Sequence, residues 1–321
     1  KAVLNLGPVS QYPVSPSAPV PGRGPSGDTP LTILGHEAGH LFLSLVQVLE
    51  PGVANSYPML GTALAHWAFT YNSDASFMEG NRIEDTGASG SQRFRTTATV
   101  QGYSSLDQYL MGFRAPEEVQ PSFAVLNSGV ARARIPQAGV SFGGDRFDIS
   151  IQDVIAASGR RTPDSTVAQR KYRFAFILIV PEDSTPDAAV TQVEAYRSQF
   201  ETLYAKATDN RAIAETSLKK SVTWSLSPAA GILAGKTSRT VIQLAAPVSA
   251  PVTFSFRSAK GLAVPPATVT IPAGASSVAF ETLGTQPGVD ELTATASDPS
   301  YEAAVARIQV ATPADLSLEV I

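Results

Sequence analysis

Thr29-Pro30-Leu31-Thr32-Ile33-Leu34-Gly35-His36-Glu37-Ala38-Gly39-His40-Leu41-Phe42 is the stretch on which the reading of the first half of the chain turns. Thr29 suits a helix N-cap, and Pro30 suits the first helical position, where its missing N–H costs nothing. Leu31, Leu34, Ala38, Leu41, Phe42, Leu45 and Leu49 recur at helical spacing, which predicts a helix stopped by Pro51-Gly52. Residues four apart share one helical face, so His36 and His40 can present their imidazoles to one ion. Two buried histidines without partners would be costly, whereas two ligands are not. The expected ion is Zn2+, which with three protein ligands keeps a position for water and lowers its pKa to about 7. Glu37, beside the histidines, would take that water's proton and pass it to a leaving amine.

The third ligand must come from elsewhere. The chain has three histidines and no cysteine, so disulfides, thiolate metal sites and a cysteine nucleophile are excluded. His66, just before Trp67, is one candidate. Asp107, in Ser104-Ser105-Leu106-Asp107-Gln108-Tyr109-Leu110-Met111-Gly112, is the other. Its competing role is that of a capping-box acid in a short helix from Ser104 to Phe113. Glu79 and Glu84 are spare carboxylates. Tyr71, Tyr103 and Tyr109 are candidates for stabilising an oxyanion, and Tyr109 is taken as the catalytic choice. Met78 ahead of Gly80-Asn81 is similar to a methionine turn beneath a zinc site, although core packing accounts for it better.

The rest of the first half mixes element types. Residues 1–29, rich in Pro, Gly and Ser, predict an extended segment. Residues 65–83 predict a hairpin, with His66–Tyr71 and Ser76–Met78 as arms and Asn72-Ser73-Asp74 as the turn. Phe174–Val180 reads as a strand, and residues 186–217 as a long amphipathic helix. From Ser221 to Ala311 helical periodicity gives way to short β-rich runs between turn residues, about seven strands in all, which predicts an antiparallel sandwich. The expected domains are 1–218, 219–312, and 313–321 as a linker or the start of a further module.

The region from His36 to Gly112 resembles the gluzincin and aspzincin side of the zincin peptidases, where an acidic residue on a later helix completes the site. The Ser-x-Leu-Asp-x-Tyr-x-x-Gly stretch is similar in type, not in spacing, to the aspzincin Gly-Thr-x-Asp-x-x-Tyr-Gly motif. The metzincin pattern fails, because Leu43 and Val46 stand where that family has Gly and His. His66-Trp67 and Ser76–Asn81 resemble stretches of large secreted bacterial proteins of zincin type. The resemblance implies an α+β zincin-like catalytic domain, and the second half is similar to the immunoglobulin-like or Calx-β-like repeats of bacterial surface proteins. If Asp107 ligates, His66 is expected to donate to an oxyanion; if His66 ligates, Asp107 is expected to orient a ligand.

Hydrophobic residues make up 43% of the 321 and charged residues 16%, with a formal net charge of −4. That balance argues against nucleic acid as partner. No apolar run reaches the ~18 residues of a membrane span. Lys1 opens the chain with neither a start methionine nor a signal-peptide pattern, which suggests a piece of a longer precursor, and the resemblance implies a secreted or surface-attached bacterial one. The expected function is that of a zinc metalloendopeptidase acting on protein or peptide substrates. The alternatives are a non-enzymatic surface or adhesion protein with a closed structural metal site, and a hydrolase of another amide such as peptidoglycan.

Overall fold

In a computed structural model, which describes residues 2–42, 46, 48, 53, 57–227 and 231–315, the chain divides into two units. These are Lys1–Thr216 and Ser217–Ile321. The first helix, α1 (Pro30–Gly39), starts from a reciprocal cap. The Thr32 amide donates to Thr29 Oγ1 at 3.2 Å, and the Thr29 amide to Thr32 Oγ1 at 2.8 Å. His40 closes the helix in the right-handed region, at φ −59°, and so stays one turn above His36. The expected continuation through Leu45 and Leu49 to Pro51-Gly52 lies outside the described residues.

One face of α1 is kept bare. A Cβ on Gly35 would stand 2.7 Å from the Phe77 ring, and one on Gly39 would stand 2.4 Å from Met78 Sδ. Each glycine costs a helix roughly 1 kcal/mol against alanine, and here that cost admits the Phe77-Met78 segment against the backbone. Phe77, Ala38, Tyr103, Phe200 and Tyr204 share one buried cluster. Phe200 and Tyr204 come from the longest helix, Asp187–Ala207.

Around α1 the first unit is built from short strands: β1 (Asn81–Asp85), β2 (Phe94–Thr99), β3 (Ser122–Leu126), β4 (Ser141–Phe142), β5 (Asp145–Ile149), β6 (Lys171–Arg173) and β7 (Ile213–Glu215). They form a three-stranded sheet, β1-β2-β4, and two pairs, β3-β5 and parallel β6-β7. The remaining helices among the described residues are α2 (Ser105–Leu110), α3 (Ile151–Ser158) and α4 (Asp187–Ala207). The expected α+β zincin-like domain is therefore not what forms. The chain is predominantly β, and its first unit sets four helices among small separate sheets.

Three local expectations also change. Residues 65–83 make no hairpin: Trp67 N–H does reach Met78 O at 2.9 Å, but Asp74, Ala75 and Glu79 take positive φ of 54°, 57° and 59° and fold the segment into stacked turns. The run 174–180 alternates inward and outward side chains like a strand, yet carries no ladder past Phe174 among the described residues. The long helix ends at Ala207, because Asp209 and Asn210 turn left-handed and the Asn210 amide bonds back to Ala205 O.

The second unit is an immunoglobulin-like β-sandwich. Its strands are β8 (Val222–Ser227), β9 (Ile232–Leu233), β10 (Thr237–Leu244), β11 (Val252–Ser258), β12 (Ala263–Val264), β13 (Thr268–Ile271), β14 (Ser277–Gly284), β15 (Gly288–Ala296) and β16 (Ala304–Ala311). One sheet runs β12-β14-β10-β8, the other β13-β11-β15-β16-β9. Along β10 the even-numbered positions Ser238, Thr240, Ile242 and Leu244 are buried and their neighbours are not, the period of two that strands impose. Ile242 and Leu244 pack on Phe254, Ile271 and Ala294 of the facing sheet.

Candidate metal centre

The three imidazoles meet. His36 and His40 project from one face of α1, with Nε2 atoms 3.0 Å apart. The His66 ring stacks on His36 at 5.1 Å between centroids and meets His40 edge-on at 4.9 Å. One nitrogen from each lies within 4.8 Å of the others, and among the described residues this is the cluster with metal-ligand geometry. His36 is buried and the other two are half-buried, so the cluster opens to solvent on one side.

Their tautomers follow from their partners. His36 Nδ1 lies 2.8 Å from Phe77 O, and His66 Nδ1 lies 2.8 Å from Thr62 O. A carbonyl only accepts, so both Nδ1 atoms carry the proton and both Nε2 atoms keep a lone pair facing inward. Backbone carbonyls commonly orient metal-bound histidines in this way. Tetrahedral zinc with bonds of about 2.0–2.1 Å would separate its ligand nitrogens by roughly 3.3 Å. The His36–His40 pair already stands at about that spacing, so the donor set fits a metal ion, and imidazoles suit zinc, copper, iron or nickel. Burial, with the neighbouring His36 and His66, holds His40 below the ordinary histidine range, against the opposing charges of Glu37 and Glu79. A neutral ring is the form that ligates.

Asp107 is not brought into the cluster. It is fully buried, and Oδ1 accepts from Trp67 Nε1 at 2.8 Å while Oδ2 accepts from the Ser104 amide at 2.7 Å. Burial raises its pKa to about 6, against hydrogen bonds from Ser76, Ser104 and Trp67 that pull the other way. The whole Ser104–Gly112 stretch has a capping explanation. Ser104 and Asp107 form the N-terminal box of α2. At the other end Gly112, at φ 79°, closes a Schellman pair, Gly112 N to Tyr109 O and Phe113 N to Gln108 O. Spacing that resembles a peptidase motif is here the signature of a short, doubly capped helix.

The tyrosines are spent elsewhere too. Tyr109, the expected catalytic tyrosine, is buried in the core with its hydroxyl accepting from the Arg161 amide. Tyr103 OH donates to Gly35 O, bracing α1 from beneath, and Tyr71 is buried against Trp67. Glu84 points outward from β1, exposed. Met78 packs under Gly39 as a core side chain. Glu37 is half-buried beside the cluster, close enough for its charge to act on His40 and on Tyr12. What sequence reading misses are the main-chain acceptors Thr62 O and Phe77 O, which leave no mark in side-chain identity.

No protein-family model matches the chain, and no curated protein matches it. Among solved structures, the D00-D0 domain of intimin covers 75% of this chain and 83% of its own, at 10% identity and a TM-score of 0.25. A CARDB domain from Pyrococcus furiosus, solved with di-metal ions, covers 30% of this chain and 94% of its own, at 11% identity and a TM-score of 0.21. An MSP-domain-like protein from Caenorhabditis elegans covers 27% and 97%, at 12% identity and a TM-score of 0.19. At such TM-scores none of these likenesses carries a functional argument. The zincin resemblance does not hold: the acidic residue expected to complete that site is committed to a helix cap and an indole, and the sheets around α1 are small and separate. No helix of the described residues is long and apolar enough to cross a membrane.

Proposed function

We propose that the first unit is a metal-dependent hydrolase of peptide bonds, using zinc held by the Nε2 atoms of His36, His40 and His66. The supporting observation is the convergence of three imidazole nitrogens within 4.8 Å, two of them pre-set in the ligating tautomer by backbone carbonyls. When bound, zinc supplies Lewis acidity and acidifies a water to a pKa near 7. The residues do the rest. His36, held by Phe77 O, and His66, held by Thr62 O, fix the position of the ion relative to α1. Glu37, next to His36 on the helix and outside the ligand set, accepts the proton of the attacking water and returns it to the leaving amine. The half-exposed rings of His40 and His66 leave a substrate carbonyl room to approach.

A purely structural metal is the weaker reading, because a closed site would enlist a fourth protein ligand and the cluster holds three among the described residues. The sandwich suits a spacer or adhesion role in a bacterial extracellular protein. Metal analysis paired with digestion of a peptide library, for the wild type and for Glu37→Gln, tests the function. A chain that binds zinc and cleaves no peptide would sink it.

A further inference from the structure

Of the three imidazoles, His40 has no partner for Nδ1 among the described residues. His36 Nε2 carries a lone pair, so the 3.0 Å contact between the rings requires His40 Nε2 to bear the proton and donate it. A metal ion in the cluster needs that nitrogen's lone pair. The His40 proton must then sit on Nδ1, where it needs an acceptor.

The turn that orients His36 carries a carboxylate. Glu79 follows Phe77 and Met78, and its amide donates at 2.9 Å to Phe77 O, the carbonyl that also orients His36. Met78, just before it, packs on Gly39, the neighbour of His40. Glu79 is half-buried and has no cationic partner among the described residues. Its charge reaches His40. It also holds a left-handed backbone, φ 59°, which a glycine would adopt at no cost and which glutamate adopts under strain. Non-glycine residues kept in such conformations cluster at functional sites.

We propose that Glu79 is a positioning residue of the metal centre: its carboxylate accepts from His40 Nδ1 when metal is bound, and so completes the set of outer acceptors begun by Phe77 O and Thr62 O. This rests on the metal-centre reading above. Of the other charged groups facing His40, Glu37 is engaged as proton acceptor, and His36 and His66 are the other ligands.

The test uses cobalt(II) alone as probe, titrated into the whole chain and followed by visible d–d absorption, with thermal unfolding measured alongside. Glu79→Gln should weaken cobalt affinity about 10–100-fold, the usual loss when a ligand's outer partner is removed. Glu79→Asp should recover part of it and keep the wild-type spectrum. Glu79→Gly is the decisive variant, since it relieves the left-handed strain. It should unfold at the same temperature as the wild type or higher, and yet bind cobalt as weakly as Glu79→Gln. Wild-type affinity and spectrum in both Gln and Gly variants would overturn the role while leaving the three-histidine centre intact. Failure of the wild type to take up cobalt would instead overturn the centre, and Glu79's role with it.

Discussion

The indole nitrogen of Trp67 donates to the buried carboxylate of Asp107 across 2.8 Å. Trp67 directly follows His66, and its own amide is bonded to Met78 O. One acid in α2 therefore anchors the segment that delivers the third imidazole to α1.

Separating anchor from ligand gives the first prediction. His66→Ala should abolish tight metal binding with little change in stability, since the ring is half-buried. Asp107→Ala should leave Trp67 Nε1 and the Ser104 amide without an acceptor, costing on the order of 3 kcal/mol, while metal is retained and weakened about 10–100-fold. Urea unfolding and metal competition measure the two effects. Complete metal loss in Asp107→Ala at unchanged stability would place Asp107 among the ligands after all.

For the chemistry, the purified chain should carry one zinc, removed by chelator and absent from His36→Ala and His40→Ala. Glu37→Gln should keep the metal and lower turnover of a peptide substrate by about 10²–10⁴-fold, the usual share of general base catalysis. Elemental analysis and a fluorogenic peptide assay read these separately. Undiminished turnover in Glu37→Gln would refute the assigned base.

Acid should act on two groups in opposite senses. The folded state raises Asp107 from 3.8 to about 6, so it binds that proton more tightly than the unfolded chain does. The stability Asp107 contributes is present below pH ~4 and falls as pH rises to about 6. His40 is lowered from 6.5, so its contribution is complete above that value and is lost as pH falls through its folded pKa. Denaturant unfolding of metal-depleted protein from pH 4 to 8 should show both trends, and Asp107→Asn should remove only the first. A variant curve that keeps the wild-type slope between pH 4 and 6 would assign that slope to another group.

The bare face of α1 makes a packing prediction. Gly39→Ala places a methyl 2.4 Å from Met78 Sδ, and Met78 must swing away. Overpacking of this kind costs about 1–3 kcal/mol. A double-mutant cycle with Met78→Ala should show strong coupling, whereas additive effects would mean that the helix shifts instead.

The spacing of His36 and His40, the cap at Thr29-Pro30 and the period-two strands of the sandwich were legible because each is a local pattern with one physical cause. Which of His66 and Asp107 stands beside them was not, since each suits a ligand and the contact that occupies Asp107 spans forty residues of chain. Ser104–Gly112 misled for a related reason: capping a six-residue helix selects the same residue types, a hydroxyl, an acid and a glycine, that a peptidase motif does. The stacked turns at 72–80 were hidden because their left-handed positions fall on Asp74, Ala75 and Glu79 rather than on glycines.

Two of the three histidines take their orientation from main-chain oxygens, Phe77 O and Thr62 O. No point substitution deletes a carbonyl. Codon changes at exposed Thr62 should thus be nearly silent for the centre, and those at Phe77 should be felt only through packing. The centre is then robust to genetic drift at two corners and open to it at the third, beside His40, where the proposed acceptor is the Glu79 side chain. A saturation library scored by metal retention would show that asymmetry directly, with tolerance high at position 62 and narrow at position 79.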